Sequence, residues 1–313
     1  MAVLKLTPAC KDYLWGGTKL KTDFGKQYNG DILAETWELS CHPDGPSRIA
    51  NGEFAGKTLE EYIEACGKQV LGKDCESFEN FPVLIKFIDA KGNLSIQVHP
   101  SDDYALEHEH QYGKTEMWYV VDCEEGAFLY FGFAKKVDEK EFRERIENNT
   151  LTEVLNKVPV KKGDVFFIES GTLHAIGAGI VIAEIQQNSN VTYRVYDYGR
   201  LDKDGKPRQL HVDQAIKVTN TTPMTCQKSF APHLGSCKYF TVDKLVMDGC
   251  HVAKVSGCVD DRSFLSILIL DGSGTVTAGG DSAEFKKGDS LFIPAGTGSY
   301  EITGVCDALL TTV

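Results

Sequence analysis

Lys161-Lys162-Gly163-Asp164-Val165-Phe166-Phe167-Ile168 recurs 125 residues later as Lys286-Lys287-Gly288-Asp289-Ser290-Leu291-Phe292-Ile293. Each copy is a Gly-Asp turn running into a short apolar strand. The likeness continues, since Glu169-Ser170-Gly171-Thr172-Leu173-His174 aligns with Pro294-Ala295-Gly296-Thr297-Gly298-Ser299. Upstream, Trp118 to Asp122 matches Ser266 to Asp271 at an offset nearer 149. The two offsets differ by about the length of residues 138–158, which reads as an insertion in the first copy. Two similar β-units follow, one decorated and one plain.

Outward from the repeat, the strand signals multiply. Val83 to Ile88, Leu94 to His99, Met117 to Val121 and Ile180 to Ile185 are β-branched or aromatic runs punctuated by Gly, Asp, Asn or Lys. Helical patterning is confined to two stretches. Thr58-Leu59-Glu60-Glu61 is a capping box opening a segment to about residue 72, and residues 138–158 space Phe142, Ile146, Leu151, Val154 and Leu155 among charges. The fold class expected is all-β with helical insertions at about 58–72 and 138–158.

The chain has 313 residues and a formal net charge of -12, with no basic run carrying interleaved aromatics. Nucleic-acid binding is therefore not expected. No run approaches the eighteen or so apolar residues of a membrane span, and the first ten residues lack a basic start followed by an apolar core. A cytoplasmic protein without membrane attachment is the expectation. The ten cysteines form no CxxC pair and read as small buried hydrophobes kept reduced.

The spacing Gly163, Glu169, Gly171, His174 resembles the second signature of the cupin β-barrels, with Glu where Pro is usual. Gly288, Pro294, Gly296, Ser299 resembles it too, with Ser in place of the metal-binding His. The resemblance implies two cupin-type jelly-roll barrels: a metal-binding domain over 1–214 and a degenerate one over 215–313.

Ser95, Gln97 and His99 alternate with Leu94, Ile96 and Val98, so the polar trio shares one strand face. Lys114 and Glu116 share a face by the same rule, and His174 follows the tight Ser170-Gly171-Thr172 turn. Two imidazoles, a carboxylate and an amide oxygen suit a catalytic zinc with an open position. Taken singly, each of these residues is more often packed or solvated. Together, on cupin spacing, they read as a site. His108-Glu109-His110 reads as polar surface, because residues two apart on a helix diverge.

Lys86 to Pro100, Gly113 to Trp118 and Gln186 to Gly199 resemble the type I mannose-6-phosphate isomerases, and most closely their short bacterial branch. That resemblance implies one Zn2+ per chain on Gln97, His99, Glu116 and His174, and a small-molecule sugar phosphate as substrate. It further places Arg194 and Lys114 as catalytic groups and Ser95 on the substrate phosphate. Lys86, read from its own place in an apolar strand, is a weaker substrate-binding candidate whose alternative is snorkelling. The implied reaction interconverts mannose 6-phosphate and fructose 6-phosphate through a cis-enediol. The general base stays open among a zinc-bound water, a neutral lysine and an unligated carboxylate such as Glu38. An iron cupin dioxygenase and a non-catalytic sugar-phosphate sensor are the rival readings, and the oligomeric state is not legible.

Overall fold

The computed structural model describes residues 2–201, 204–224 and 229–313. Strands dominate its regular structure, as expected, and its α-helices are short. No helix among the described residues is long and apolar enough to cross a membrane. Cys226 lies outside the described residues, and the other nine cysteines are free thiols. The chain forms two compact units. One comprises Met1–Lys11, Lys19–Phe87 and Ser229–Val313, and the other Asp12–Thr18 and Ile88–Lys228.

The first unit is built on a nine-stranded sheet around two long strands, Leu265–Ala278 and Gly298–Thr312. Alternation gathers Ile267, Ile269, Val276, Leu291, Ile293, Ile302 and Ala308 into one buried cluster. The Ser290–Ile293 strand has Leu265–Ala278 on one side, and the N-terminal strand Leu4–Thr7 satisfies its other edge, with Leu4 opposite Phe292. For this reason the compact unit that holds residues 229–313 also holds Met1–Lys11. The first residues complete the sheet that carries the second repeat copy.

The second unit contains a five-stranded sheet ordered Tyr193–Tyr196, Ile96–Val98, His174–Ile176, Phe128–Phe133, Leu155–Pro159. It also contains the antiparallel trio Val165–Ile168, Glu116–Cys123 and Ile180–Gln187. Ile96, Val98, Phe133, Phe142, Ile146, Ala175 and Val195 pack together as a core. Pairings among the described residues leave open sheets, and no closed barrel of the expected kind is found. The five-stranded sheet ends on Tyr193–Tyr196 and Leu155–Pro159, which do not pair with each other.

The repeat is visible in hydrogen bonds. Lys161 N donates to Asp164 Oδ2 at 2.9 Å, and Lys286 N to Asp289 Oδ2 at 2.8 Å. Gly163 N reaches Val120 O and Gly288 N reaches Ile269 O, which reproduces both the 125- and the 149-residue offsets. Gly163 and Gly288 have φ of 91° and 87°, a conformation that favours glycine.

The capping box forms as expected, with Thr58 and Glu61 bonding each other's backbone ahead of the Leu59–Cys66 helix. Residues 138–158 are less helical than expected. Asp138 caps a helix over Glu139–Glu147, a 3-10 turn spans Leu151–Val154, and Leu155–Pro159 is a strand. Two effects set that outcome. Pro159 disfavours helix in the residue before it, and the Phe128–Phe133 edge offers Leu155–Pro159 a ladder.

Candidate metal centre

Three strands of the second unit deliver one side chain each to a common point. His99 directly follows Ile96–Val98, Glu116 opens Glu116–Cys123, and His174 opens His174–Ile176. All three are buried, and their ligand atoms lie within 4.8 Å of one another. His174 Nε2 is 3.3 Å from Glu116 Oε1, and His99 Nε2 is 3.7 Å from Glu116 Oε2.

Backbone carbonyls fix both imidazoles. His174 Nδ1 donates to Thr172 O at 2.8 Å, and His99 Nδ1 donates to Val191 O at 2.8 Å. A carbonyl oxygen only accepts, so the proton sits on Nδ1 and the Nε2 lone pair faces the cluster. Burial pushes the His174 pKa down to about 4, which keeps the ring neutral near pH 7. His174 Nε2 is buried and makes no hydrogen bond among the described residues, as suits a ligand atom better than a packed histidine.

Zinc fits this donor set. Nitrogen and carboxylate donors at about 2.0–2.2 Å from a tetrahedral zinc stand roughly 3.3–3.6 Å apart. The 3.3 Å separation to Glu116 Oε1 lies in that range, and the 3.7 Å separation to Oε2 lies just outside it. Gln97 is directly opposite His174 in the sheet, and on its other side opposite Arg194. Cross-strand partners share a face, so the amide lies on the His174 face, where its Oε1 accepts from Ser95 Oγ at 3.2 Å.

A loop scaffold holds the approach to Glu116. Gly113 N donates to Asp102 Oδ1, Lys114 N to Pro100 O, and Thr115 N to Gln187 Oε1. Lys114 is thereby buried with its Nζ 2.5 Å from Glu116 Oε2, 3.3 Å from His99 Nε2 and 3.4 Å from Glu184 Oε1. Arg194 is half-buried, with Nε donating to Ser95 Oγ at 3.2 Å and Nη1 to Gln209 O at 3.1 Å. Burial lowers its pKa first, and the neighbouring Arg208 adds to the effect.

Lys86 and Glu38 belong to the first unit. Lys86 Nζ sits 3.6 Å from Glu35 Oε2 and 4.7 Å above the Trp37 ring. Glu38 is fully buried against Lys26 Nζ at 2.6 Å, an ion pair within a site whose burial raises the carboxyl pKa. His108 stacks on Tyr104 at the end of the Asp102–His108 helix, and Glu109 accepts from Tyr193 Oη.

Residues 3–128 match the family model for the catalytic domain of type I phosphomannose isomerase, and residues 232–313 match that for the mannose-6-phosphate isomerase cupin domain. The mannose-6-phosphate isomerase of Streptococcus mutans is 39% identical over 302 residues, covering 93% of this chain and 92% of that protein. The chain belongs to the type I phosphomannose isomerase family. The crystal structure of the mannose 6-phosphate isomerase from Bacillus subtilis superposes over 100% of both chains, with a TM-score of 0.90 and 34% identity. A more distant relative of the same fold, a mannose 6-phosphate isomerase solved with zinc and yttrium bound, matches at a TM-score of 0.75 and 17% identity over 99% of both chains.

Against the residues that the family resemblance names, the geometry adds one that sequence reasoning missed. Glu184 is buried on Ile180–Gln187, with Oε2 accepting from Trp118 Nε1 at 2.9 Å and Oε1 facing Lys114. Glu184 is opposite Trp118 and Gln186 is opposite Glu116, so the strand register puts Glu184 on the Glu116 face. A lone carboxylate inside Ile180-Val-Ile-Ala-Glu-Ile185 was the available signal.

Proposed function

We propose that this chain interconverts mannose 6-phosphate and fructose 6-phosphate, with one zinc ion held by His99, Glu116, His174 and Gln97. The observation that carries the reading is the convergence of two imidazole nitrogens and Glu116 from three strands, next to Lys114 and Glu184. Each unit is read as an elaborated cupin-type jelly roll, of which only the second holds metal. Bound zinc supplies Lewis-acid polarisation of the sugar oxygens.

The protein's own groups then divide the work. Arg194 and Ser95 hold the phosphate end. Glu184 removes the C2 proton of the open-chain aldose, the electron pair forms the C1=C2 bond of a cis-enediol, and O1 takes up a proton. Delivery of the proton from Glu184 to C1, with loss of the O2 proton, leaves the C2 ketone. Lys114 donates to whichever sugar oxygen carries the developing negative charge. Trp118 Nε1 and Lys114 Nζ, which donate to its two oxygens, fix the orientation of the Glu184 carboxyl.

The test is a coupled fructose 6-phosphate assay before chelation, after it, and after zinc return. Activity should vanish with the metal and recover with zinc. Undiminished turnover in metal-free protein would defeat the reading, and oxygen uptake during turnover would point instead to a dioxygenase.

A further inference from the structure

Arg194 lies in the edge strand of the five-stranded sheet, opposite Gln97, which is itself opposite His174. Its main chain meets one residue, His211, twice. Arg194 N donates to His211 Nδ1 at 3.2 Å, and His211 N donates to Arg194 O at 2.7 Å. An edge strand must find partners for such groups outside the ladder, and here a single residue supplies both. His211 leads into the helix Val212–Val218, whose Ala215 and Ile216 pack with Tyr193 and Val195. A polar side chain in that leading position ordinarily accepts from the helix's own N–H groups. The His211 imidazole makes no such cap and is turned back to Arg194 instead.

The direction of the Arg194 bond fixes the proton of the ring. A main-chain N–H only donates, so Nδ1 carries the lone pair and the proton sits on Nε2, the reverse of the tautomer held by His99 and His174. That arrangement requires the neutral ring. The charges that act on it are Arg194 on the strand and Glu109, whose Oε1 accepts from Tyr193 Oη beside the ring. Arg208 on its own loop is bound to Asp197, and Asp213 in the helix that follows is bound to Arg143. Burial first and Arg194 second push the His211 pKa below the ordinary imidazole value, against Glu109. The neutral ring is therefore the form present above about pH 6.5. On acidification Nδ1 gains a proton where it now accepts one, and an imidazolium then faces a guanidinium.

We propose that His211 is a positioning residue for Arg194, its neutral Nδ1 holding the strand edge where the guanidinium can reach Ser95 Oγ and the substrate. This rests on the sugar-phosphate reading above and adds to it a group that acts only through Arg194 and makes substrate binding weaken in acid. Asn is the conservative variant, since its Oδ1 takes nearly the place of Nδ1 and accepts at every pH. Leu fills the space and accepts nothing.

The deciding experiment combines kinetics and calorimetric titration with mannose 6-phosphate, on the full-length zinc-loaded protein, at about pH 8 and about pH 5.5, either side of the ordinary imidazole value. At the higher pH, His211→Leu should raise KM and weaken binding about three- to tenfold while kcat changes much less, the loss of one neutral hydrogen bond. His211→Asn should stay close to wild type there. Moving to the lower pH should weaken binding by wild type more than by His211→Asn. The substrate phosphate titrates alike in both, so the difference belongs to His211. Wild-type KM in His211→Leu, or an Asn variant as impaired as the Leu one, would make His211 a loop fixture and overturn the inference. Should the Leu protein fail to fold, the Asn variant decides alone: an acid response as steep as that of wild type overturns the inference, and a shallower one supports it. The two readings fail separately. A chain that binds mannose 6-phosphate with this dependence on His211 and does not turn it over sinks the isomerase and keeps the inference, and normal turnover with indifferent His211 variants does the reverse.

Discussion

Glu116 and Glu184 are both buried carboxylates touching Lys114, and their different surroundings assign them different work. Glu116 faces Nε2 of both histidines, whereas Glu184 faces Trp118 and Lys114. Glu184→Gln should therefore keep its zinc and lose about 10²–10⁴-fold in kcat, the range for a removed general base. His174→Ala should lose both metal and turnover. Metal analysis beside the coupled assay separates the two, and a metal-depleted Glu184→Gln protein would make Glu184 a ligand. His99, Glu116 and His174 were legible because their spacing repeats a known pattern and their strands alternate. Glu184 was not, because its strand reads as a buried apolar run and only pairing with Glu116–Cys123 reveals which face it takes.

At the scale of elements, the two Gly-Asp turns were legible as a repeat, down to bonds that sequence could only imply. Their surroundings differ, and that difference is testable. A Cβ on Gly163 would find only Tyr119 Oη, at 3.9 Å, whereas one on Gly288 would come within 2.8 Å of the backbone oxygen of Phe24. Both substitutions strain a positive φ, at about 1–3 kcal/mol each. Gly288→Ala must also displace backbone, so it should destabilise more than Gly163→Ala in urea melts of the zinc-loaded protein. Equal losses would mean the Phe24 loop yields freely. The stretch 138–158 was harder to read. Its apolar spacing fits a helix through Leu155, but an open strand edge at Phe128–Phe133 is a tertiary fact that no local pattern announces.

For the whole molecule, local patterns located the β-units but not which segments share a sheet. The repeat invites a cut between an N-terminal and a C-terminal half. Yet the Ser290–Ile293 strand has Leu4–Thr7 as its neighbour, and Leu4–Thr7 in turn bonds Arg48–Ile49. Pairing across about 285 residues leaves no trace in composition or periodicity, because either strand alone is an ordinary four-residue segment. A fragment of residues 215–313 would expose the Ser290–Ile293 edge, together with Leu291, Phe292 and Ile293, all fully buried in the intact chain. An open apolar edge of that kind invites association with other chains. The fragment should therefore be aggregated or poorly dispersed in a proton–nitrogen NMR spectrum. Supplying residues 1–87 as a separate chain should restore dispersion and pull the two fragments into one complex on gel filtration. A monomeric, well-dispersed fragment without that partner would mean the second repeat copy folds alone and the N-terminal strand is an ornament.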